Sequence, residues 1–224
     1  YPCGGVRIEV PRIQAKLLEE TAENLKIKMK FSKGYVKTHC FCSAGEVISY
    51  KSNGNLLIGG RSNSDQSSSF TNVAILYKCI DNDLKHEALL SLRAISKLYP
   101  HNTFFESIAS FVGKKQERLK VIPLSSSIPY EIGKLFPDEI SSALKTFILN
   151  LEKEKYIDLT GGIVHAPCSE WTTPKIITSF VGETTHNLFY VGDGSGRTQG
   201  IVAAAIMGQR AARAILEREQ KNGR

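Results

Sequence analysis

The sequence predicts a mixed α/β chain. Short runs near the N-terminus alternate apolar and polar residues, a pattern typical of half-buried strands. Segments 84–98 and 137–154 instead carry apolar residues at helical spacing. Near the C-terminus an apolar run breaks into a glycine-rich turn and then into a third helical pattern, so we expect a strand, a turn and a long helix there.

The first predicted elements are a strand at Val6–Val10 and a helix directly after it. Pro11 suits the N1 position of that helix, because the fixed φ of proline matches the first helical turn. The helix is supported by apolar residues at roughly helical spacing, namely Ile13, Leu17, Leu18 and Leu25. Segments 27–31 and 35–42 follow as two further predicted strands.

Asn53–Gly54 is the strongest hairpin signal in the chain, because this dipeptide readily adopts the positive φ angles of a two-residue β-turn. The apolar stretches 47–50 and 56–58 flank it as two strands. We expect several of the predicted strands to pair in one sheet.

A polar loop is predicted at 61–69, after two glycines that allow close backbone approach to a substrate. Arg61 is a candidate to bind an anionic group of that substrate, because a guanidinium binds carboxylates through two parallel hydrogen bonds. An exposed loop arginine is the alternative interpretation.

The two central helices are expected to pack against the core rather than to bind a cofactor. Their predicted buried residues are Leu89, Leu92, Ile95 and Ser96 in the first, and Ile140, Leu144, Phe147, Ile148 and Leu151 in the second. Segments 121–127 and 156–175 then lead back toward the C-terminal strand. His165 lies there among apolar residues and prolines, and it is a candidate for proton transfer because its ordinary pKa is about 6.5. A structural hydrogen bond is the alternative.

The C-terminal turn is the most informative feature of the sequence. It contains glycines at 192, 194, 196 and 200, which allow positive φ angles and close approach to a ligand. The helix that follows begins with N–H groups lacking intrahelical partners and with a partial positive charge, which favours an anionic ligand. A flexible turn in which Asp193 caps the helix is the alternative.

The spacing of these glycines does not match the dinucleotide fingerprint G-x-G-x-x-G, because no third glycine follows Gly194-x-Gly196 at the required position. Asp193 would repel a diphosphate, yet it can accept hydrogen bonds from ribose or ribityl hydroxyls. The backbone of Gly200, Ile201 and Val202 would then face a ligand edge that gains negative charge, such as the pyrimidine edge of a reduced flavin.

Three stretches together resemble a known family. Residues 182–196 (GETTHNLFYVGDGSG) and 200–205 (GIVAAA) are similar to the C-terminal end of FAD-dependent dehydrogenases of the glutathione-reductase-like superfamily. Residues 38–48 (THCFCSAGEVI) resemble the Cys-x-Cys-x-x-Gly-Glu-Val signature in the substrate domain of one group of predicted dehydrogenases, and 5–9 resemble the start of that domain. The stretches occur in the family's order and span nearly the whole chain.

The resemblance implies that residues 1–182 form an inserted substrate-type domain of mixed α+β structure. It implies that 183–224 form the closing strand, turn and helix of a Rossmann-like FAD-binding domain. The activity implied is hydride transfer through FAD on an unknown small molecule. The implied cofactor contacts are Gly192, Asp193, Gly194, Gly200, Ile201 and Val202.

The chain also departs from the family. Members open with a strand, a G-x-G-x-x-G turn and a helix that bind the ADP half of FAD, and no such element precedes Tyr1. Asp193 stands where similar proteins often carry glutamate. We therefore expect half of an FAD site, completed by an N-terminal portion or a separate subunit, and little activity from this chain alone. A non-catalytic binding or regulatory module derived from the substrate domain is the alternative.

Cysteines occur at positions 3, 40, 42, 79 and 168, and this odd, scattered set predicts reduced thiols rather than a disulfide framework. Cys40 and Cys42 would share one face of a strand, and they are candidates for a redox pair or a reactive thiol near the flavin. Two buried small residues are the alternative. No metal site is expected, because zinc usually needs four ligands and no second cysteine pair is present.

The charge balance is 29 basic against 22 acidic residues, a net +7. Lys26, Lys28 and Lys30 alternate with apolar residues and would face solvent, and the aromatic interleaving typical of nucleic-acid binding is missing. A solvated basic face is therefore favoured, and a nucleic-acid-binding protein is the weaker alternative. The sequence has no apolar run of about 18 residues and no signal-peptide pattern at its start. We expect a cytoplasmic protein with no membrane partner.

Overall fold

The computed structural model describes residues 3–21, 26–52, 54–62, 65, 67–115, 118–170, 175–198 and 200–222. The chain divides into two compact units, Pro2–Glu170 and Trp171–Arg224. We call them the N-terminal unit and the C-terminal unit. The boundary predicted at residue 182 falls inside the C-terminal unit.

The N-terminal unit is built on one large sheet with short and long helices. Its strands are β1 (Cys3–Pro11), β2 (Lys28–Phe31), β3 (Gly34–Cys42), β4 (Gly45–Ser52), β5 (Asn55–Ser62), β6 (Phe70–Cys79), β7 (Thr103–Ser107), β8 (Ser127–Pro129) and β9 (Ile163–Glu170). Its helices are α1 (Lys16–Thr21), α2 (Asn82–Leu98), α3 (Ile108–Phe111) and α4 (Asp138–Lys153), and single 3-10 turns occupy Arg12–Ala15 and Ile132–Leu135.

The sheet is nine-stranded and mostly antiparallel, in the order β2-β3-β6-β1-β9-β5-β4, with β7 beside β9 and β8 beside β7. Only the β5–β9 and β7–β8 pairs are parallel among the described residues. The prediction that several strands share one sheet is confirmed, as is the mixed α/β composition.

Strand β1 lies inside the sheet, between β6 and β9, and separates two buried environments. Val6, Ile8 and Val10 are fully buried and join the main core with the residues of α4. Alternate residues of a strand point to opposite faces, so Arg7 and Glu9 lie on the other face. Both are also buried.

The two central helices are present as predicted, but their predicted core residues are buried to different extents. In α4 the residues predicted to be buried are all at most 4 % exposed: Ile140, Leu144, Phe147, Ile148 and Leu151. In α2, by contrast, Leu89, Leu92, Ile95 and Ser96 are only half-buried. Only Leu84 is fully buried in α2, next to the N-cap residue Asp81, whose carboxylate accepts the Leu84 N–H at 2.8 Å.

The segment after β1 is the main error in the predicted helices. Pro11 ends β1 instead of opening a helix, and only a 3-10 turn and the six-residue α1 follow it. Ile13 is 79 % exposed, so it does not belong to the expected buried stripe. Leu25 lies outside the described residues.

The predicted hairpin is confirmed as β4–β5, which pairs Ser52 with Asn55 across the turn. Gly54 has a φ of +77°, as this turn requires. Asn53 lies outside the described residues. Strand β5 continues to Ser62, so Arg61 belongs to a strand rather than to the predicted loop.

The C-terminal unit contains two short strands and one long helix. Strands β10 (Glu183–Thr185) and β11 (Leu188–Phe189) form an antiparallel pair, a 3-10 turn occupies Asp193–Ser195, and helix α5 spans Ile201–Asn222. The order of strand, glycine turn and long helix agrees with the prediction, although the strand is only two residues long.

Helix α5 does not bury the face predicted from its sequence. Met207 and Ala211 are its fully buried residues. The face predicted to be buried consists of Ile201, Ala204, Ala205, Gly208, Ala211, Ala212 and Ile215. Within it, Ile201 is 89 % exposed and Ile215 is 42 % exposed. No helix of the described residues is both long and apolar enough to cross a membrane.

Candidate functional site

The N-terminal unit holds a buried arginine surrounded by thiols. Arg7 is 2 % exposed, and its Nη1 donates to the carbonyl of Cys40 at 3.2 Å, to Cys42 Sγ at 3.8 Å and to Asn72 Oδ1. Strand β5 covers the guanidinium: a Cβ placed on Gly60 would lie 2.1 Å from Arg7 Nη1, so the site requires glycine there. We call these five residues the arginine–cysteine cluster.

The charge of Arg7 has no carboxylate partner among the described residues. Glu9 lies on the same face of β1 but pairs with His165, with 3.1 Å between Oε2 and Nε2. A guanidinium buried without a counter-charge costs several kcal/mol. The groups next to Arg7 that can become anions are thiols, namely those of Cys40, Cys42 and Cys168.

The backbone brings Cys40 and Cys42 together. The pairing of β3 with β6 is interrupted between His39 and Cys42, and Cys40 adopts a φ of +47° at this bulge. The two sulfur atoms are 3.9 Å apart. In a regular strand, residues two apart are separated by about 7 Å along the strand. The bulge therefore converts two neighbouring side chains into a contacting pair.

The two thiols are close enough to shift each other's pKa in opposite directions. A hydrogen bond from the Cys42 thiol, together with the charge of Arg7, outweighs burial and lowers the pKa of Cys40 to about 5. The same hydrogen bond, and then burial, raise the pKa of Cys42. The directions of the two shifts favour a thiolate at Cys40 and a protonated Cys42, beside the buried guanidinium.

Burial favours the neutral forms of two residues next to the cluster, Cys168 and His39. Burial raises the pKa of Cys168, which is 4 % exposed. Burial also lowers the pKa of His39, whose Nδ1 lies 3.5 Å from Glu170 Oε1. Glu170 in turn forms an ion pair with Lys37. No group of three or more His, Cys, Asp or Glu side chains in the described part of the chain is placed to hold a metal ion.

His165 and Arg61, two further candidates from the sequence, lie in contrasting environments. His165 is fully buried on β9 and bonded to Glu9, an arrangement typical of a structural hydrogen bond. Arg61 follows Gly60 on β5, so its side chain points to the opposite face of the strand. It is exposed and forms an ion pair with Glu46, its partner across the β4–β5 hairpin.

The C-terminal unit holds the second candidate, a glycine bend at residues 192–200. Three of its glycines have positive φ angles: Gly192 at +76°, Gly196 at +67° and Gly200 at +94°. Ser195 holds the bend from inside, since it is 1 % exposed and its Oγ donates to the carbonyl of Gly192 at 2.7 Å. The same oxygen accepts the N–H of Arg197 at 3.3 Å.

The outer side of the glycine bend is open within its unit. A Cβ on Gly194 or Gly200 would meet no atom within 4 Å, and the side chain of Asp193 is exposed. The first hydrogen bond of helix α5 runs from the Ala204 N–H to the Gly200 carbonyl at 3.1 Å. The N–H groups before Ala204 therefore have no partner inside the helix. Ile201 at the helix tip is 89 % exposed.

Arg7 and Asn72 are the members of the cluster that the sequence pattern did not indicate. An arginine alternating with apolar residues in a strand is usually solvent-facing, whereas here residues of β3, β5 and β6 surround the guanidinium. No protein-family model matches the chain, and no curated protein matches it.

Proposed function

We propose that this chain supplies the substrate-type domain and the closing, flavin-contacting segment of an FAD-dependent oxidoreductase that transfers hydride to or from a small molecule. The observation that carries the proposal is the glycine bend, which is open to a ligand and leads directly into the 22-residue helix α5. The sequence resemblance described above supports the same function independently of this geometry.

The fit of the bend to a flavin depends on its backbone. Gly196 and Gly200 adopt positive φ angles, which glycine tolerates, and neither residue adds a side chain to the bend. The N-terminal N–H groups of α5 carry the positive end of the helix dipole, which favours an anionic or electron-rich group. An exposed helix tip with unpaired donors suits the pyrimidine edge of an isoalloxazine ring.

In this proposal each group at the bend has one task. Asp193, which is exposed beside the bend, accepts hydrogen bonds from the hydroxyls of the ribityl chain. The N–H groups of Ile201 and Val202 donate to the ring edge and stabilise negative charge that develops there. FAD, when bound, supplies the hydride chemistry, and the protein supplies orientation and electrostatics. The sequence contains no G-x-G-x-x-G turn, so the ADP half requires another polypeptide segment.

The test uses the full-length product of the natural gene. Asp193→Ala removes the carboxylate without touching the bend's glycines, and we expect the purified protein to retain less than about a tenth of the FAD of the unaltered protein. Asp193→Glu is the matched control, because it keeps a carboxylate that accepts hydroxyl hydrogen bonds. FAD content is measured from the flavin absorbance per protein after gel filtration.

The opposite result is equally clear. If Asp193→Ala retains as much FAD as the unaltered protein, the assignment of the bend is wrong. If the unaltered full-length protein binds no FAD, even when apoprotein is titrated with the cofactor, the chain belongs instead to the non-catalytic binding or regulatory module.

A further inference from the structure

We propose that Cys40 and Cys42 form a reversible dithiol–disulfide couple that exchanges with small disulfides, with Cys40 as the attacking sulfur and Arg7 as the residue that positions it. This couple is a redox site of the N-terminal unit, and it does not depend on flavin binding by the glycine bend.

The geometry favours a disulfide between these two sulfurs. They are already in contact at 3.9 Å, and a disulfide bond requires about 2.05 Å. The bulge at Cys40 directs both side chains toward the same position, beside the guanidinium of Arg7. The two sulfurs are therefore neighbours before any bond between them forms.

The burial of Arg7 explains why Cys40 favours its nucleophilic thiolate form. Its guanidinium is 2 % exposed, and among the described residues it pairs with no carboxylate. A thiolate at Cys40 supplies the missing negative charge, and the thiolate is the nucleophilic form of cysteine. Cys40 is half-buried and Cys42 is 3 % exposed, so Cys40 is the more accessible of the two to a small reagent.

The reaction balances in two steps with a low-molecular-weight disulfide, R–S–S–R, as the oxidant. The Cys40 thiolate attacks one sulfur, forms a Cys40–S–S–R bond and releases R–S⁻. The released thiolate takes the proton of Cys42. The Cys42 thiolate then attacks Cys40 Sγ, forms the Cys40–Cys42 disulfide and releases a second R–S⁻. Two protein thiols are oxidised by two electrons, and one disulfide is reduced to two thiols.

The experiment treats the full chain with oxidised glutathione, blocks remaining thiols with N-ethylmaleimide and maps the peptides by mass spectrometry. We expect a Cys40–Cys42 disulfide in the unaltered chain and its disappearance after reduced glutathione is added. Cys42→Ser should stop the reaction at a glutathione adduct on Cys40. Cys79→Ser is the matched control, because burial raises the pKa of the half-buried Cys79, and this variant should still form the disulfide.

A second measurement needs no substitution. Alkylation by iodoacetamide follows the thiolate fraction, so between pH 8 and pH 6 the rate at Cys79 should fall about a hundredfold while the rate at Cys40 falls less than about threefold. The proposal is overturned if both Cys40 and Cys42 remain alkylatable after treatment with oxidised glutathione. It is equally overturned if alkylation of Cys40 falls with pH in parallel with that of Cys79.

Discussion

The two units of this chain differ in where they keep their polar and apolar groups. The N-terminal unit buries charged side chains inside its sheet, including Arg7, Glu9 and His165. In the C-terminal unit, Ser195 is the only fully buried polar residue among those described. Sixteen large apolar residues are exposed in the described part of the chain, and ten of them lie in the shorter C-terminal unit.

The candidate functional groups of the two units are held in place in different ways. In the N-terminal unit, packing fixes the reactive groups, because each charged side chain is held by neighbours on adjacent strands. In the C-terminal unit, a small core formed around Met207 and Ala211 supports an open turn and an exposed helix tip. Concentrated exposed apolar surface is typical of a segment that binds a ligand or another polypeptide. The redox pair proposed for the first unit therefore depends on packing, whereas the ligand site proposed for the second depends on an open turn.

The largest expected effect is on stability, and it compares a buried side chain of the N-terminal unit with an exposed side chain of the C-terminal unit. Phe147→Ala removes a fully buried side chain from α4 and should lower the free energy of unfolding by about 3–5 kcal/mol. Leu216→Ala in α5 is the matched control, since Leu216 is 61 % exposed and the change should stay within about 0.5 kcal/mol. Urea unfolding followed by circular dichroism compares the two. Equal losses would mean that α5 is as deeply packed as α4.

A smaller effect is expected at the centre of the sheet, on the face that carries Arg7. A Cβ on Gly5 would lie 2.1 Å from the carbonyl oxygen of Ile75 in β6, so Gly5→Ala forces the two strands apart. We expect a loss of about 1–3 kcal/mol in the free energy of unfolding.

Gly4 provides the control for this substitution. A Cβ there meets no atom within 4 Å, so Gly4→Ala should leave the stability unchanged or raise it by up to about 1 kcal/mol. A Gly5→Ala variant as stable as Gly4→Ala would show that β1 and β6 have room to separate, and that the arginine–cysteine cluster is not rigidly held.

How far the sequence predicts this fold depends on how many faces of each element are buried. Helix α4 is predicted well because one face is apolar and the other polar. Strand β6 was not recognised, since it is buried on both faces and shows no alternation over residues 71–77. The burial of Arg7 was not recognised because it depends on contacts with other strands, including Gly60 of β5 and Asn72 of β6, and no local pattern reveals where those strands pack.

In the C-terminal unit, the sequence predicts the positions of the turns but not the buried face of helix α5. The glycine positions correctly predict where the backbone turns, because positive φ angles are a local property. The buried face of α5 is not local: the helix carries apolar residues on more than one side, and contacts with the rest of its unit select Met207 and Ala211. Arg218 on the same helix binds Glu183 through two hydrogen bonds of 2.7 and 2.8 Å, a long-range contact that no local pattern indicates.

The Glu183–Arg218 pair gives the smallest predicted effect and tests whether the C-terminal unit has any fixed ionic contact. Hydrogen bonds from Arg218, followed by the N–H of Asn187, lower the pKa of Glu183 to about 2. Because the ordinary value is about 4.3, the stability that this pair contributes is present above that pH and is lost as the pH falls through about 2.

The measurement is a carboxyl carbon NMR titration of the full chain. At about pH 3 the Glu183 carboxylate should still be ionised, whereas in Arg218→Met it should already be protonated, since its pKa returns toward about 4.3. Titration of Glu183 near the ordinary value in the unaltered chain would mean that the pair does not persist in solution. Helix α5 and the β10–β11 hairpin would then lack their only bidentate ionic contact among the described residues.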